Sequence, residues 1–535
     1  MKNNLLEKTI LEAIEQKIKT KQSFDLLKRE IFSSSKKTQP NYSSLLKEYR
    51  KLLKQNKIKR QENLEKILQT RKVRTLSGVA VVTVLTKPYP CPGQCIYCPN
   101  DPTMPKSYIK TEPAAARALR LKFSPYKQVQ LRIKALQLNG HPTDKIELIV
   151  KGGTWSSYPM KYREEFIKKC FDAANGKKSK TLEEAQTINQ TAKNRIIGLT
   201  LETRPDWINV KEIQHLRRLG CTRLELGVQT LENKVSRFIL RGHGQAEVAE
   251  ATKLLRDAGF KVDYHIMPGL PTATAKSDLE HFKILFSDYH FRPDMIKIYP
   301  CSVIPNTGLY KLWKDGKYKP LEAKELIELL IKMKVEVPYY VRLSRVIRDI
   351  PGDEIAAGSE VTNLREYIQR EMDNRGLKCK CIRCREIGRS KIMKSKNHEI
   401  KKLFKQKLFI TKYKASEGTE YFLSIEDPKR NTIFAFLRLY LPKNQDKELI
   451  KLLPTIEGSA FVRELHTYGH LVPVAKKDKT ASQHIGMGKK LMVEAEKIAK
   501  KSGFNKIAVI SGVGVRDYYK KLNYRLKDTY MVKKI

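Results

Sequence analysis

Apolar residues in the middle of the chain fall into short β-branched runs that alternate with stretches of helical period. Amphipathic helices are predicted at 114–121 and 245–258, among others. Repeated strand–helix units in one run build a parallel sheet, so residues 76–375 predict a partial or full βα barrel. The strands predicted there are 79–85, 145–150, 195–201, 223–227, 262–267 and 295–299.

The two ends of the chain follow other patterns. Residues 1–75 carry apolar positions at helical intervals and are interrupted by a polar stretch, which predicts a helical extension. Residues 376–405 show no core pattern and are interpreted as a linker. Residues 406–535 predict a mixed α/β domain with strands at 420–425, 432–438, 459–465 and 506–510 and a helix at 488–501. The predicted fold class is therefore α/β, with a barrel followed by a second α/β domain.

The net charge of the chain indicates which class of binding partner it has. The 535 residues include 105 Lys and Arg against 57 Asp and Glu, a net charge of +48. An excess of this size is usually offset by a polyanion. Nucleic acid is favoured over membrane, because no run approaches 18 apolar residues and no signal peptide opens the chain. Two alternatives stay open: a Lys-rich composition adapted to heat or salt, and a solvated helical face in the extension.

Three cysteines follow the first predicted strand with the spacing Cys91-x3-Cys95-x2-Cys98. Three thiolates at this spacing can hold three irons of a [4Fe–4S] cluster and leave the fourth iron open to a small molecule. The arrangement resembles the radical S-adenosylmethionine (SAM) enzymes, in which methionine fills the open position. A zinc site that lacks a fourth ligand is the alternative. A loop at the C-terminal mouth of a barrel strand suits the first interpretation.

A second triad, Cys379, Cys381 and Cys384, lies in the basic linker and predicts a zinc site. A second cluster site and an accidental grouping are the alternatives. His398, Cys301 or water could supply a fourth ligand. Grouped cysteines of this kind indicate metal binding in a reducing cytoplasm rather than disulfides.

The C-terminal domain contains a glycine loop, Gln-His-Ile-Gly-Met-Gly-Lys at 483–489, that leads into the predicted helix. Glycines at a helix start let backbone N–H groups converge on phosphates. Together with the tyrosines that follow 507–515, the loop resembles that of the Gcn5-related N-acetyltransferases (GNAT), which bind acetyl-CoA there. The alternative is a structural turn, and for Tyr518 a core tyrosine is equally plausible.

A radical-SAM module followed by an acetyl-CoA module resembles the elongator protein 3 family of tRNA-modifying enzymes. The resemblance implies that a SAM-derived 5′-deoxyadenosyl radical abstracts hydrogen from the methyl group of acetyl-CoA. The carbon radical then adds to C5 of the wobble uridine (position 34), and thioester hydrolysis leaves 5-carboxymethyluridine. The matching segments are 74–80, 202–206, 224–230, 241–244, 348–351, 381–386, 464–469 and 510–514.

The resemblance also implies the site residues. It places the cluster on Cys91, Cys95 and Cys98, and SAM beside Gly152, Gly153 and Thr154. Lys145 and Tyr519 are the candidate catalytic residues. The implied acetyl-CoA contacts are Lys145, Glu464, Leu465, His466, Thr467, Met487, Gly488, Lys489 and Tyr519.

The implied partner is the tRNA anticodon stem-loop, which the basic extension would hold through its phosphates. The sequence leaves open whether the chain forms a homodimer or uses accessory subunits. A protein lysine acetyltransferase with a structural iron–sulfur cluster is the alternative function. A nucleic-acid-binding scaffold with degenerate modules is a weaker one, because the cysteine triad and the glycine loop are both intact.

Overall fold

The structure is a computed structural model that describes residues 2–35, 38–70, 75, 77–359, 361, 363–389, 406–468 and 486–535. Three bodies of secondary structure follow one another along the chain. Among the described residues, no helix combines the length and the apolar character needed to cross a membrane.

The N-terminal segment forms a small helical domain. Phe24, Leu45, Tyr49 and Leu52 are fully buried in an apolar core of its own. Side chains also cap its helices: Thr20 accepts a hydrogen bond from the backbone N–H of Ser23 at 3.1 Å. The extension is thus helical as predicted, and it has its own core. Its helices are α1 (Lys2–Glu15), α2 (Lys21–Ser34), α3 (Tyr42–Lys54) and α4 (Glu62–Leu68).

The central part is a seven-stranded, all-parallel sheet whose strand order follows the sequence. Its strands are β1 (Ala80–Leu85), β2 (Lys145–Lys151), β3 (Arg195–Thr203), β4 (Arg223–Gln229), β5 (Lys261–Ile266), β6 (Met295–Ile298) and β7 (Arg342–Arg345). The six predicted strands are present within three residues at each end. The predicted partial barrel is confirmed, with β1 and β7 at its two edges.

Helices cover the outer face of this sheet. In the helix at Gln245–Asp257, Val248, Ala251 and Leu255 are buried at helical spacing. The helices are α5 (Pro113–Arg120), α6 (Pro125–Leu138), α7 (Met160–Asn175), α8 (Leu182–Asn189), α9 (Val210–Arg218), α10 (Asn233–Phe238), α11 (Gln245–Asp257), α12 (Ala275–Ser287), α13 (Gly308–Lys314), α14 (Ala323–Glu336), α15 (Leu364–Asn374) and α16 (Ile382–Arg385).

The C-terminal domain is a second seven-stranded sheet. Its strands are β8 (Lys407–Ala415), β9 (Gly418–Glu426), β10 (Ile433–Leu441), β11 (Ala460–Thr467), β12 (Lys506–Val509), β13 (Arg525–Lys527) and β14 (Tyr530–Lys534), in the order β13-β14-β12-β11-β10-β9-β8. Its helices are α17 (Lys447–Leu452), α18 (Met487–Lys501) and α19 (Arg516–Lys520). All neighbours are antiparallel except β11 and β12, which are parallel.

Parallel pairing between β11 and β12 is short. It joins Ala460–Val462 to Ile507–Val509, whereas β11 continues to Thr467. Among the described residues, positions 463–466 of β11 pair with no strand on the side that faces β12. An open strand edge can hydrogen-bond an extended ligand that carries amides of its own.

Candidate active site

One cavity of about 1520 Å³ joins the barrel to the C-terminal domain. The cysteine loop after β1 lines one part of it, and β11, the start of α18 and α19 line another. Of the residues predicted for the cluster, SAM and acetyl-CoA, Gly152 and Met487 do not line the cavity. Those that line it are Cys91, Cys95, Cys98, Lys145, Gly153, Thr154, Glu464, Leu465, His466, Thr467, Gly488, Lys489 and Tyr519.

The cysteine loop is held in a tight turn. A Cβ at Gly93 would stand 2.3 Å from Arg204 Nη1, so a larger residue there would have to displace the Arg204 guanidinium. Arg241 Nη1 lies 3.4 Å from the buried Cys95 Sγ. A hydrogen bond from Cys98, aided by the Arg241 charge, lowers the pKa of the Cys95 thiol to about 4 against the effect of burial. A thiolate set of this kind, with a cation beside it, fits an iron–sulfur cluster.

The predicted SAM-binding turn follows β2 and stands next to this loop. Gly152 and Gly153 have φ values of +129° and +53°, which favour glycine. A Cβ at Gly152 would stand 2.1 Å from Thr86 Oγ1, so Gly152 packs behind the turn. Thr154 Oγ1 lies 3.5 Å from Cys91 Sγ. The turn therefore brings backbone groups close to the cysteines.

A band of ion pairs lines the barrel lumen. Lys151 Nζ lies 2.9 Å from Glu202 Oε2 and also contacts Glu225. His265 bridges the same two carboxylates, with Nδ1 3.3 Å from Glu202 and Nε2 3.1 Å from Glu225. Lys297 contacts Glu225 from β6, and burial lowers the pKa of Lys297 to about 8. The lumen thus carries several buried charged residues that were not predicted as site residues from the sequence.

The sequence contains a pattern that indicates these ion pairs: charged residues within apolar strands. Glu202 pairs with Glu225 across β3 and β4, and Glu225 pairs with Asp263 across β4 and β5. His265 pairs with Lys297 in the same way. Charged residues in register on otherwise apolar strands indicate a polar inner face, since side chains at one register position point the same way.

Strand β11 carries the next predicted contacts. Glu464 Oε2 lies 3.0 Å from Arg438 Nε, and the nearest cation from the barrel is Lys261 Nζ at 3.9 Å. His466 Nε2 lies 3.0 Å from the backbone oxygen of Ser77. Glu464 and His466 are therefore held in place from both sides of the joint between the two sheets.

Lys145 reaches the cavity from the first residue of β2, at the amino end of the strand. Burial lowers the pKa of its ammonium group, opposed by Asp144. Its position brings a cation of the barrel to the same cavity as the acetyl-CoA contacts predicted on β11.

The described part of the glycine loop begins at Gly486, and 483–485 lie outside the described residues. Gly486 has a φ of +73° and precedes α18. A Cβ at Gly488 would stand 2.7 Å from the Tyr518 hydroxyl oxygen. The Met487 side chain packs in the apolar core, so only its backbone is available to a ligand. Tyr519 is also largely buried, whereas Tyr518 is 39% exposed.

Comparisons with known proteins decide the family. The Radical SAM superfamily profile matches residues 89–285, and the Radical_SAM C-terminal domain profile matches 293–374. A "tRNA uridine(34) acetyltransferase" of Methanocaldococcus jannaschii is 46% identical over 87% of this chain and 86% of its own. "Elongator complex protein 3" of Homo sapiens is 41% identical over 87% of this chain and 86% of its own. The chain belongs to the elongator protein 3 family.

A solved structure of the family agrees with this assignment. It is the archaeal Methanocaldococcus infernus Elp3 with an N-terminal deletion (1–46). It is 42% identical, covers 86% of this chain and 100% of its own, and has a TM-score of 0.74. The fold class predicted from sequence, a radical-SAM partial barrel followed by a GNAT domain, is therefore confirmed for the present chain. The radical-SAM profile also implies a [4Fe–4S] cluster and SAM as its cofactors.

The second cysteine triad in this family member has the geometry of a single-ion site. The sulfur atoms of Cys379, Cys381 and Cys384 all lie within 4.8 Å of one another. Among the described residues, no other group of three or more Cys, His, Asp or Glu side chains brings its ligand atoms this close together. Hydrogen bonds from the other two cysteines hold the pKa of the Cys381 thiol well below its usual range. A compact thiolate group is the donor set that zinc prefers.

The candidate fourth ligands are placed differently. Cys301 is buried in the apolar cluster that contains Cys95, beside Tyr318, and does not join the triad. His398 lies outside the described residues. The segment predicted as a linker is itself anchored, because Cys379, Cys381 and Ile382 are buried against the barrel core.

Proposed function

We propose that this protein forms 5-carboxymethyluridine at the wobble position of tRNA, using SAM and acetyl-CoA. One observation carries the proposal: a single cavity is lined by both the cysteine loop and the acetyl-CoA loop. The reaction needs the acetyl methyl group to meet the radical, so the two modules have to share one enclosed space. The name of the 46%-identical relative, a tRNA uridine(34) acetyltransferase, supports the same reaction.

At the barrel end, Cys91, Cys95 and Cys98 would hold the cluster, and the turn at Gly153 and Thr154 would orient SAM. When bound there, the cluster and SAM would supply radical hydrogen-atom abstraction from a methyl group. Arg241 favours the thiolate form of Cys95.

At the C-terminal end, the β11 edge at residues 463–466, which pairs with no described strand on the β12 side, would bind the amides of the pantetheine arm. Gly488 lets the backbone at the start of α18 approach the pyrophosphate, which the helix N-terminus also favours. Lys145 would contact a CoA phosphate or carbonyl oxygen. Burial raises the pKa of Tyr519, so its hydroxyl stays protonated and can donate a hydrogen bond toward the thioester.

The N-terminal helical domain would bind tRNA. Residues 1–75 contain 20 Lys and Arg against 8 Asp and Glu, and such an excess suits phosphate contact. Deletion of residues 1–70 should weaken tRNA binding and reduce the slope of affinity against salt, without stopping SAM cleavage. An unchanged salt slope in the truncated protein would assign this domain to another partner.

The triad of Cys379, Cys381 and Cys384 would hold zinc in a structural role. The segment ties the barrel to the C-terminal sheet: Ile382 N donates to Val341 O at 2.9 Å, and Arg385 Nη1 lies 2.7 Å from Glu426. Metal analysis of purified protein should find about one zinc per chain in addition to cluster iron.

Protein lysine acetylation is not favoured as the function. The acetyl-CoA loop alone would serve it equally well. A lysine acetyltransferase, however, would leave the cysteine loop at the far end of the same cavity without a role in catalysis.

The test is tRNA modification with labelled acetyl-CoA as the carbon donor. Wild-type protein should place the label on uridine 34, whereas Gly488→Glu should not, because the new side chain meets Tyr518 and repels phosphate. Gly352→Glu is the matched control, since nothing lies within 4 Å of a Cβ there. Label on uridine from Gly488→Glu would contradict the acetyl-CoA site.

The cluster is tested separately. Cys95→Ser should abolish SAM cleavage and leave the C-terminal domain folded, as measured by 5′-deoxyadenosine release and circular dichroism. Retained SAM cleavage in a variant that lacks all three loop cysteines would refute the cluster assignment.

A further inference from the structure

Helix α10 and the turn that follows it pack behind the cysteine loop. Ile96 N donates to the backbone oxygen of Ile239 at 3.2 Å. Arg241, two residues further on, reaches Cys95 Sγ. A second groove, of about 660 Å³, runs between this turn and the loop residues Pro92 to Gln94. The outer surface of α10 is therefore one residue layer away from a cluster cysteine.

Two large apolar side chains are exposed on this surface. Phe238 is 45% exposed and Leu240 is 50% exposed. Leu240 has a φ of +55°, in the left-handed region that disfavours bulky residues. It occupies the position after the helix end where glycine is usual, since Arg241 N bonds to the backbone oxygen of Ser236 at 2.9 Å. The fold thus tolerates strain that glycine would relieve, and presents a leucine to solvent.

Basic residues flank the exposed pair. Lys234 and Arg237 are exposed on α10. Glu247, the acidic residue that lines the groove, is engaged by the backbone N–H of Gly244 at 2.8 Å. We call Gln94, Lys234, Arg237, Phe238 and Leu240 the α10 face. It has an apolar centre and a positive rim beside the cysteine loop.

We propose that the α10 face docks an acidic protein that delivers single electrons to the cluster. The proposal rests on the proposed function, because each SAM cleavage consumes one electron. The reduced carrier would lose one electron and the cluster held by Cys91, Cys95 and Cys98 would gain it, with no atom transferred. A positive rim steers an acidic carrier, and a small apolar centre suits a brief encounter.

RNA is the competing occupant of a basic face. Phosphate contacts would use Lys234 and Arg237 but would gain little from an exposed leucine. Phe238 could stack on a base. The position of the face beside Cys95, and the strained leucine at its centre, favour an electron donor over RNA.

The experiment measures cluster reduction directly. Reconstituted protein is mixed anaerobically with a reduced flavodoxin, an acidic one-electron carrier, and the cluster absorbance is followed in a stopped-flow instrument. Leu240→Gly relieves the backbone strain and should fold at least as well as wild type. Leu240→Gly combined with Phe238→Ser should slow reduction by flavodoxin about tenfold. Reduction by dithionite should not change.

The matched control is Val493→Ser, which removes a 42%-exposed apolar side chain on α18 and should leave both rates unchanged. Lys234→Glu with Arg237→Glu should remove most of the salt dependence of the flavodoxin rate. Unchanged flavodoxin rates in the apolar double variant would overturn the proposal. So would lost tRNA affinity with unchanged flavodoxin rates, which would make this face an RNA site. Dithionite-driven SAM cleavage that persists in either case would leave the proposed function intact.

Discussion

The N-terminal helical domain and the C-terminal α/β domain both pack on the barrel, but their attachments differ. The N-terminal domain meets α6 and the loop after it through partly exposed polar contacts. These are Ser43 with Asn139 at 3.1 Å, Thr70 with Asn139 at 2.6 Å, Arg50 with Gln137 O at 2.6 Å and Gln69 with His141 at 3.2 Å. Hydrogen bonds of this kind contribute little net stability because water competes for the same groups.

The C-terminal domain is joined through buried charges. Asp294, at the start of β6, is fully buried and pairs with Arg463 and Arg438. Arg438 also donates to the backbone oxygen of Tyr340 at 2.6 Å, and Arg463 pairs with Glu420 at 2.8 Å. Buried charges that lose a partner are strongly destabilised, so this joint has one well-defined geometry.

The difference matches what each joint has to do. The cavity crosses the joint between barrel and C-terminal domain, and Arg438 bonds both Asp294 and the cavity residue Glu464. Reaction between two modules requires their register to be fixed within a fraction of an ångström. The tRNA-binding role proposed for the N-terminal domain, which needs only phosphate contacts, sets no such requirement.

The largest expected effect comes from Asp294→Asn. The substitution leaves Arg438 and Arg463 buried beside a neutral side chain, which should destabilise the joint by about 3–5 kcal/mol. Calorimetry should show a lower unfolding temperature for the barrel and C-terminal domain. Asp315→Asn, at an exposed position, is the control and should leave the transition unchanged. Equal transitions for the two variants would show that the buried charges do not determine the joint.

Much of this fold follows from the sequence. Strands β1 to β6 have apolar, β-branched runs, and each was predicted within three residues. Strand β7 was missed because its four residues, Arg-Leu-Ser-Arg, include two arginines, and Ser344 and both arginines face the cavity. Strands β8, β13 and β14 were missed for a related reason: they lie at or next to the edges of the sheet and carry basic residues among their apolar ones.

The site was predictable only in part. Motif spacing located the cysteine loop and the glycine loop, because those signals are local. It could not show that Tyr518, rather than Tyr519, has its hydroxyl against Gly488, since that depends on how α19 packs. Nor could it show the pairing of Asp294 with Arg463, which are 169 residues apart.

A second, smaller effect is expected from Cys381→Ser. The triad segment supplies Arg385, which bonds Glu426 of the C-terminal sheet at 2.7 Å, and Glu386, which pairs with Arg342 of β7. Loss of one metal ligand should therefore loosen the same joint, by about 2 kcal/mol. Zinc content and the unfolding temperature measure the effect, while iron content should stay at the wild-type level. If the variant binds no zinc but unfolds at the wild-type temperature, the metal does not stabilise the joint.

Truncation should affect the rest of the molecule less. Without residues 1–70, Asn139 loses Ser43 and Thr70, whereas His141 loses Gln69 but keeps its contact with Thr75 at 3.0 Å. The unfolding temperature of the barrel and C-terminal domain should therefore change by less than about 2 °C. A loss as large as that of Asp294→Asn would show that the N-terminal domain is also structurally joined to the barrel.

The smallest effect is expected from Arg50→Ala. It removes one hydrogen bond, to the Gln137 backbone oxygen, and leaves the apolar core of the N-terminal domain intact. The guanidinium is partly exposed, so its loss should weaken the attachment by about 0.5–1 kcal/mol. Proteolysis between the two domains should become a few-fold faster, because cleavage follows the population of the detached state. Lys47→Ala removes the same charge from an exposed position of α3 and serves as the control. If both variants are cut at the same rate, charge rather than the Gln137 hydrogen bond governs the attachment.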